Sequence, residues 1–422
     1  MKQIKLKLIL MNFLEFAVWG AYLTSQGRYL AGAGLGDFIG WFFSIQGIVS
    51  IFMPAIMGII ADKWIPAQKM LGICHFIAAC AMIAAGYYGV TAGDNVQFST
   101  LFTLYTISVA FFMPTIALSY SVAYSLLDQN GLDTVKHFPP IRVWGTVGFI
   151  ASMWVVDLTG WQTNSIQYIA SGVLGIVLAI YAYGFLPACP IKKNASENQS
   201  LVEAIGLKAF ALFKEKRMAI FFIFSFLLGA ALQVSNGFAN TYLGDFGGIP
   251  EYQNTFGVRH SNMLISLSQV SETLCILMIP FCLRKFGIKK VMLIAMLAWG
   301  FRFGFFGVGN PGSGVWCFIA SMIVYGVAFD FFNISGSLFV DKNTNQDIRS
   351  SAQGLFMLMT NGLGAAIGSL VAQAIVSRYT TGLAGTELMA GWSNAWYIFS
   401  GYAFTIAILF AIFFKETKKS KA

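Results

Sequence analysis

A carboxylic acid inside an otherwise apolar segment is the residue of this sequence with the clearest chemical meaning. Asp330 stands between Ser321 and Val340, in a run whose other members are apolar, small or neutral polar residues. An acid at the centre of a membrane helix costs roughly 2.5 to 3.5 kcal/mol on insertion scales, so a residue of this kind indicates a functional site with a nearby partner. Reversible proton binding is the chemistry that suits a carboxylate in such surroundings.

Other polar side chains lie in apolar segments with spacings that place them on shared helical faces. Arg142, Thr146 and Phe149 are separated by four and three residues, which aligns them on one face of a helix. The alternative for Arg142 is an arginine at a helix end whose long side chain reaches the aqueous boundary. The remaining ionisable residues at membrane depth are Glu15, Glu272 and Arg302.

Amides and an acid recur on two later segments. Gln233, Asn236 and Asn240 follow one another at intervals of three and four, and Gln269 and Glu272 are three apart. Each set therefore lies on one helical face. The alternative for a single amide is a hydrogen bond between helices, worth about 0.6 to 2 kcal/mol, but that role does not require a carboxylate.

The segment that contains Asp330 also presents aromatic residues. Tyr325, Phe329 and Asn333 recur every four residues, with Asp330 at the edge of the same face. Plain packing is the alternative for the aromatic members. Amides and acids bind hydroxyl groups and aromatic rings stack on flat rings, so the combined faces suit a neutral ligand with several hydroxyls and a planar part.

The composition requires that membrane-spanning helices position these residues. Of the 422 residues, 57% are hydrophobic and 11% are charged, so the exterior of the protein is apolar as well as its core. A membrane helix needs about 20 apolar residues, and about twelve such stretches follow one another. We therefore predict an all-α membrane protein with an N-terminal six-helix bundle (1–187), a cytoplasmic linker with a short amphipathic helix (188–217) and a C-terminal six-helix bundle (218–422).

The net charge of +9 is explained by the positions of Lys and Arg in a membrane topology and does not indicate a nucleic-acid-binding surface. On the predicted spans, about 22 of the 27 Lys and Arg residues fall on one side, so the positive-inside rule predicts that both termini are cytoplasmic. The expected surroundings are therefore a lipid bilayer and not a nucleic acid. No nucleophile–base constellation and no metal-ligand spacing is present, so we predict no enzyme, no metal site and no cofactor.

The loop after the second apolar stretch resembles a signature of the major facilitator superfamily. The run from Gly58 to Lys69 is similar to the pattern G-x-x-x-D-R-x-G-R-[KR], although Ile65 and Pro66 stand where a turn glycine is usual. The resemblance implies two six-helix bundles around a central cavity. It also implies that Gly58, Asp62 and Lys63 form a conformational latch.

Four runs resemble the bacterial nucleoside:proton symporters of that superfamily, and the likeness extends over nearly the whole chain. They are residues 138–149, 211–225, 268–273 and 328–337. The resemblance implies a uridine- or adenosine-like substrate whose ribose hydroxyls contact polar side chains and whose base contacts aromatic rings. The implied substrate-binding residues are Arg142, Thr146, Phe149, Gln233, Asn236, Gln269, Glu272, Tyr325, Phe329 and Asp330.

Proton coupling through Asp330, with Glu272 as the second candidate, is also implied, together with import across the bacterial cytoplasmic membrane by alternating access. One chain contains the whole expected path, so we expect the monomer to function. Neither Glu15 nor Arg302 receives a binding role; Glu15 either pairs with a neighbouring helix or binds a proton. The alternative function is a proton-coupled sugar permease of the same superfamily, because acids and amides recognise sugar hydroxyls in the same way.

Overall fold

The computed structural model describes residues 2–190, 207–345 and 348–415, and every regular element in these ranges is helical. Short 3₁₀ turns separate several of the helices, and one π-helical segment, Leu358–Gly364, joins the twelfth helix to the thirteenth. The helices are α1 (Lys2–Gly20), α2 (Gln26–Gly32), α3 (Ile39–Lys63), α4 (Ala67–Ala92), α5 (Phe98–Gln129), α6 (Thr134–Leu158), α7 (Ile166–Gly184), α8 (Lys216–Asp245), α9 (Phe256–Arg259), α10 (Ser261–Val308), α11 (Val315–Asn343), α12 (Arg349–Met357), α13 (Ala365–Thr380) and α14 (Gly385–Phe413).

The number of membrane-length segments agrees with the predicted number. Within the described ranges, 10 helical stretches are long and apolar enough to cross a membrane. One of them, α10, is two helices joined at Gly287, whose φ of 78° and ψ of 168° are not helical. Helix α1 is also 19 residues long, and it carries Lys5, Lys7 and Glu15. The prediction of about twelve spanning helices is therefore confirmed.

Helix α6 begins earlier than the sequence pattern indicated. The apolar run predicts a start at Ile141, after Pro139 and Pro140, but the helix extends back to Thr134 through both prolines. Prolines are tolerated in membrane helices where neighbouring groups satisfy the freed backbone carbonyls. Arg142 consequently lies inside α6 and not at its end.

The chain divides into two compact units. The first contains Met1–Leu201, Asn236–Gly244 and His260–Ser266, and the second contains Val202–Ser235, Asp245–Arg259 and Leu267–Ala422. Residues 191–206 of the predicted cytoplasmic linker lie outside the described residues. The part that follows them, Leu207–Lys214, is a 3₁₀ helix.

Small residues allow close helix packing inside the first unit. Gly148 of α6 lies against the backbone carbonyl of Phe13 on α1, where no side chain would fit. Gly172 of α7 lies against α4, and a Cβ atom there would stand 2.8 Å from the Ala79 carbonyl oxygen. Such contacts are the usual basis of helix association in membranes. The α1–α6 contact is the one that brings together the candidate site residues of this unit.

Glycines also set the packing of the second unit. Gly229 of α8 lies against the π-helical segment, and a Cβ atom on it would stand 2.8 Å from Cα of Thr360. Gly364 closes the π-helical segment, and its added Cβ atom would stand 2.6 Å from the Phe226 carbonyl oxygen. π-Helical turns occur frequently at functional sites, and this one packs directly against α8.

Candidate functional site

Arg142 is held by aromatic residues of the first unit. Its guanidinium carbon lies 3.8 Å from the centre of the Phe16 ring, a cation–π contact with α1. Its Nε donates a hydrogen bond of 2.8 Å to the hydroxyl of Tyr120 on α5. The side chain is half-buried. Arg142 therefore lies inside α6 and contacts both α1 and α5.

The other predicted residues of α6 lie on the same side of the helix. The Phe149 ring packs edge-on against Trp19 of α1, with ring centres 6.3 Å apart and an interplanar angle of 85°. Thr146 is half-buried between the positions of Arg142 and Phe149. The shared helical face predicted from the spacing is present.

Three aromatic residues of this group were missed by sequence reasoning. Phe16, Trp19 and Tyr120 contact Arg142 or Phe149, but the sequence contains 40 Phe, 10 Trp and 16 Tyr residues, and most of them are packing residues. The one sequence feature that could have indicated them is the three-residue interval between Phe16 and Trp19, which places both on one face of α1.

The second unit contains the aromatic and acidic members of the predicted site. Tyr325 and Phe329 of α11 are stacked, with ring centres 5.7 Å apart and planes 6° from parallel. Asp330 follows directly on the same helix and is 5% exposed. Glu272 of α10 directly follows Ser271, and the backbone carbonyl of Ser271 packs against Gly326 of α11, next to Tyr325. The second unit therefore contains both predicted proton-coupling acids and the predicted aromatic pair, on the adjoining helices α10 and α11.

Arg302 of α10 fixes the position of Tyr325. The guanidinium group is fully enclosed, and its carbon lies 4.4 Å from the centre of the Tyr325 ring. Its Nη1 donates a hydrogen bond of 2.8 Å to the backbone carbonyl of Ser321, one helical turn before Tyr325. The Ser321 hydroxyl in turn donates to the Arg302 carbonyl at 2.9 Å. The sequence analysis assigned no role to Arg302, and in the structure it packs against the Tyr325 ring of the aromatic pair.

A small cavity lies beside these residues within the second unit. Its volume is about 20 Å³, and Phe329, Asn333, Trp299 and Thr360 are among its lining residues. Asn333 was on the predicted face of α11, whereas Trp299 and Thr360 were not predicted. Thr360 belongs to the π-helical segment, which explains why no regular periodicity pointed to it.

The predicted amides are divided between the units. Gln233 and Gln269 are half-buried residues of the second unit, and Asn236 is a half-buried residue of the first. Asn240, on the same predicted face of α8, is buried and donates a hydrogen bond of 3.2 Å to Asn262. That interaction fits the alternative role of an amide between helices.

A buried carboxylate at the end of α6 was also missed. Asp157 is 3% exposed and accepts hydrogen bonds from the backbone N–H groups of Asn262, at 2.9 Å, and Met263, at 3.1 Å. Its other oxygen lies 2.6 Å from Nδ1 of His260. Asp157 thus caps the first turn of α10, within the first unit, as side-chain oxygens do at helix N-termini.

The predicted latch is only partly described. Gly58 and Lys63 lie on α3, whereas the side chain of Asp62 is outside the described part of the structure. Among the described atoms, none lies within 4 Å of a Cβ atom built on Gly58, so this glycine makes no close helix contact. The latch therefore remains a prediction. Among the described residues, no group of three or more His, Cys, Asp or Glu side chains has metal-binding geometry.

Comparison with known proteins gives close relatives along the whole chain. The nucleoside permease NupG of Escherichia coli (strain K12) is 44% identical over 415 residues, which cover 98% of this chain and 96% of the permease. The xanthosine permease of the same organism is 45% identical over 416 residues, with the same two coverages of 98% and 96%.

A solved structure has the same fold. The crystal structure of a mutant of the nucleoside transporter NupG matches with a TM-score of 0.91 and 43% identity, covering 98% of this chain and 100% of that one. The predicted all-α major facilitator fold is thereby confirmed. The profile of the family described as "Nucleoside H+ symporter" matches residues 1–419. The chain therefore belongs to the nucleoside H+ symporter family.

Proposed function

We propose that this protein imports purine or pyrimidine nucleosides together with protons across the bacterial cytoplasmic membrane, by alternating access. Membership of the nucleoside H+ symporter family and the full-length similarity to nucleoside and xanthosine permeases support the substrate class and the coupling ion. The protein is a transporter rather than an enzyme. The bilayer surrounds it, both termini are cytoplasmic, and a single chain is the working unit.

The observation that carries the proposal is the position of Asp330. The carboxylate is almost completely buried on α11, next to the stacked Tyr325–Phe329 pair. Charged groups are rare at membrane depth and mark ion or substrate pathways. A carboxylate beside aromatic rings can exchange a proton and bind a hydroxyl group, and the rings can stack on a base.

Each predicted binding residue has a chemical role in this proposal. The amides Gln233, Asn236 and Gln269 exchange hydrogen bonds with ribose hydroxyls, and Thr146 adds a hydroxyl of its own. Arg142 donates to an acceptor atom of the nucleoside from its place on the Phe16 ring. Phe149, Tyr325 and Phe329 contact the flat base.

Proton coupling is assigned to Asp330 and Glu272. Protonation neutralises the acid, and the neutral site then binds the nucleoside and permits the change of access. Release of nucleoside on the cytoplasmic side is followed by release of the proton, which moves down a potential worth about 2.3 kcal/mol per 100 mV. Gly58, Asp62 and Lys63 are proposed to act as the latch of this cycle.

An Asp330→Asn variant tests the proposal. In proteoliposomes with an inward proton gradient, wild-type protein is expected to accumulate labelled uridine against its gradient. The variant is expected to accumulate less uridine, because its side chain cannot bind and release a proton. At about 100 mV, loss of one coupled proton lowers the limiting accumulation about 50-fold.

The matched control is Asp341→Asn on the same helix. Asp341 is a half-buried acid with 46% of its side chain accessible, and it pairs with Arg349 at 3.2 Å. This variant should accumulate uridine as the wild type does. Unchanged accumulation in Asp330→Asn would remove Asp330 from the coupling mechanism.

A proton-coupled sugar permease is the alternative function. The family match and the relatives named above are nucleoside transporters, which leaves the sugar alternative with less support. Competition separates the two: unlabelled nucleosides should inhibit uridine uptake, whereas ribose and disaccharides should not. Inhibition by the sugars and not by nucleosides would favour the alternative.

A further inference from the structure

A second acid is buried in the first unit, together with a histidine and a threonine. Glu15 of α1, His75 of α4 and Thr115 of α5 are each completely buried, with 0% of the residue exposed. Nε2 of His75 lies 2.7 Å from Oε2 of Glu15, and the hydroxyl of Thr115 lies 2.6 Å from Oε1. None of the three has a place in the nucleoside site proposed above.

The threonine can serve the acid in both of its protonation states. The Thr115 hydroxyl lies 2.6 Å from the Glu15 carboxylate and also 2.6 Å from the backbone carbonyl of Phe112. A hydroxyl has one proton to donate. With Glu15 ionised, the hydroxyl donates to the carboxylate. With Glu15 protonated on Oε2, Oε1 is uncharged, and the hydroxyl can donate to the carbonyl of Phe112 instead.

The histidine gives the acid a route for a proton. Nδ1 of His75 is buried, and within the described structure it has no hydrogen-bond partner. His75 lines a cavity of about 10 Å³ together with Tyr22, Ser108 and Ser171. This volume is roughly the space of one water molecule. Most of the cavity lining is apolar, and its polar side chains are those of these four residues.

Within the described part of the chain, no hydrogen bond or ion pair joins this pair to another charged group. The titratable residues described around it are thiols and phenols, which are neutral at physiological pH: Cys74 on α4, Tyr22 just after α1, Tyr105 on α5 and Tyr168 on α7. The nearest arginine of the adjoining α6, Arg142, stacks on Phe16 and donates to Tyr120. In hydrocarbon surroundings the acid–histidine pair must balance its own charge.

We propose that Glu15 and His75 form a second proton-binding site of the transport cycle, separate from Asp330 and Glu272. A proton binds to Nδ1 of His75, the proton on Nε2 passes to Oε2 of Glu15, and the imidazole is left neutral with its proton on Nδ1. The net result is one proton bound as the carboxylic acid of Glu15. Release follows the same steps in reverse.

The pair is connected to the nucleoside site through α1 and Phe112. Glu15 directly precedes Phe16, the residue on which Arg142 stacks, and Trp19 lies one turn further along α1. The Phe112 ring lies 5.9 Å from the His75 ring and 6.0 Å from the Trp19 ring. A change of protonation at Glu15 therefore acts on the helix that presents aromatic residues to the substrate. The inference rests on the proposed proton coupling and adds a further proton.

The test is the number of protons that move with each nucleoside. In proteoliposomes, the membrane potential at which a fixed uridine gradient gives no net flux reports this number. Glu15→Gln keeps the shape of the side chain but cannot take a proton, so the number is expected to fall by one. At about 100 mV the limiting accumulation then falls about 50-fold, while uridine counterflow, which needs no net proton movement, persists.

Two further variants make the result decisive. His75→Gln removes the imidazole that passes the proton to Glu15, and it should also lower the number of protons moved with each nucleoside. This variant provides the test if Glu15→Gln does not yield folded protein. Asn12→Leu, a buried neutral substitution on α1, should leave the number as in wild type. If Glu15 and His75 had only a structural role, Glu15→Gln and His75→Gln would unfold at lower temperatures but would move as many protons per nucleoside as the wild type. That result would overturn the inference. Absence of uridine-linked proton movement in the wild type would instead overturn the proposed function.

Discussion

Two arginines show how the surroundings of a single residue decide its role. Arg302 is buried, donates a hydrogen bond to the Ser321 carbonyl and packs against the Tyr325 ring. It therefore stabilises the position of the aromatic pair. Arg142 is half-buried, with its guanidinium plane on Phe16 and one hydrogen bond to Tyr120. A guanidinium group has five N–H donors, so Arg142 retains donors for a substrate.

Replacement of Arg142 should weaken nucleoside binding. Arg142→Ala removes the donors and the cation–π contact, and the KM for uridine is expected to rise roughly tenfold or more. Arg142→Lys keeps the charge but not the planar stacking, and an intermediate KM is expected. Uptake rates measured over a range of uridine concentrations give these values.

Lys136→Ala provides the comparison, because Lys136 is an exposed basic residue on the same helix. Its KM should equal that of the wild type. If Arg142→Ala also bound uridine with wild-type affinity, Arg142 would have no part in the nucleoside site.

At the scale of elements, glycines set the closest contacts between helices. Gly148 sets the distance between α1 and α6, and Gly229 sets the distance between α8 and the π-helical segment. The second contact adjoins the cavity lined by Phe329, Asn333 and Thr360. Helix packing and cavity shape are therefore linked in the second unit.

A methyl group at Gly229 should disturb this contact. In Gly229→Ala the new Cβ atom would stand 2.8 Å from Cα of Thr360, which is too close for an unshifted backbone. Overpacking of this kind costs typically 1 to 3 kcal/mol, so we expect a lower thermal unfolding temperature in detergent and a lower maximal rate of uridine uptake.

Gly401→Ala on α14 is the matched substitution, since a Cβ atom there has no described atom within 4 Å. It should unfold at the wild-type temperature or slightly above it, because alanine favours helix formation over glycine. Equal unfolding temperatures for the two alanine variants would show that the α8 contact tolerates a side chain.

For the whole molecule, the distribution of charge predicts the orientation in the membrane. Most of the 27 Lys and Arg residues fall on the predicted cytoplasmic side, although the net charge of +9 alone gives no direction. Family membership adds the transport function but not the orientation.

Reporter fusions to the C-terminus test the orientation. A green fluorescent protein fused there is expected to fluoresce, and alkaline phosphatase fused there is expected to be inactive, because the first matures in the cytoplasm and the second only outside it. An active phosphatase fusion would place the C-terminus on the opposite side and reverse the predicted topology.

The sequence by itself determined the helical class, the approximate number of spans and the helical faces of the candidate residues. Apolar stretches of about 20 residues and intervals of three and four are local properties, so they can be read without tertiary structure. The alignment of Arg142, Thr146 and Phe149 on α6 is one case. The family resemblance added the nucleoside substrate, which periodicity alone did not specify.

Tertiary structure alone decided which side chains meet across helices. Nothing in the local pattern joined Glu15 to His75, Asp157 to the first turn of α10, or Arg302 to Tyr325. Residues of these pairs are far apart in the chain or on different helices, and their contact depends on how glycines and aromatic rings allow the helices to approach. Helical periodicity predicts the direction of a side chain from its own helix, but the partner that it meets is set by long-range packing.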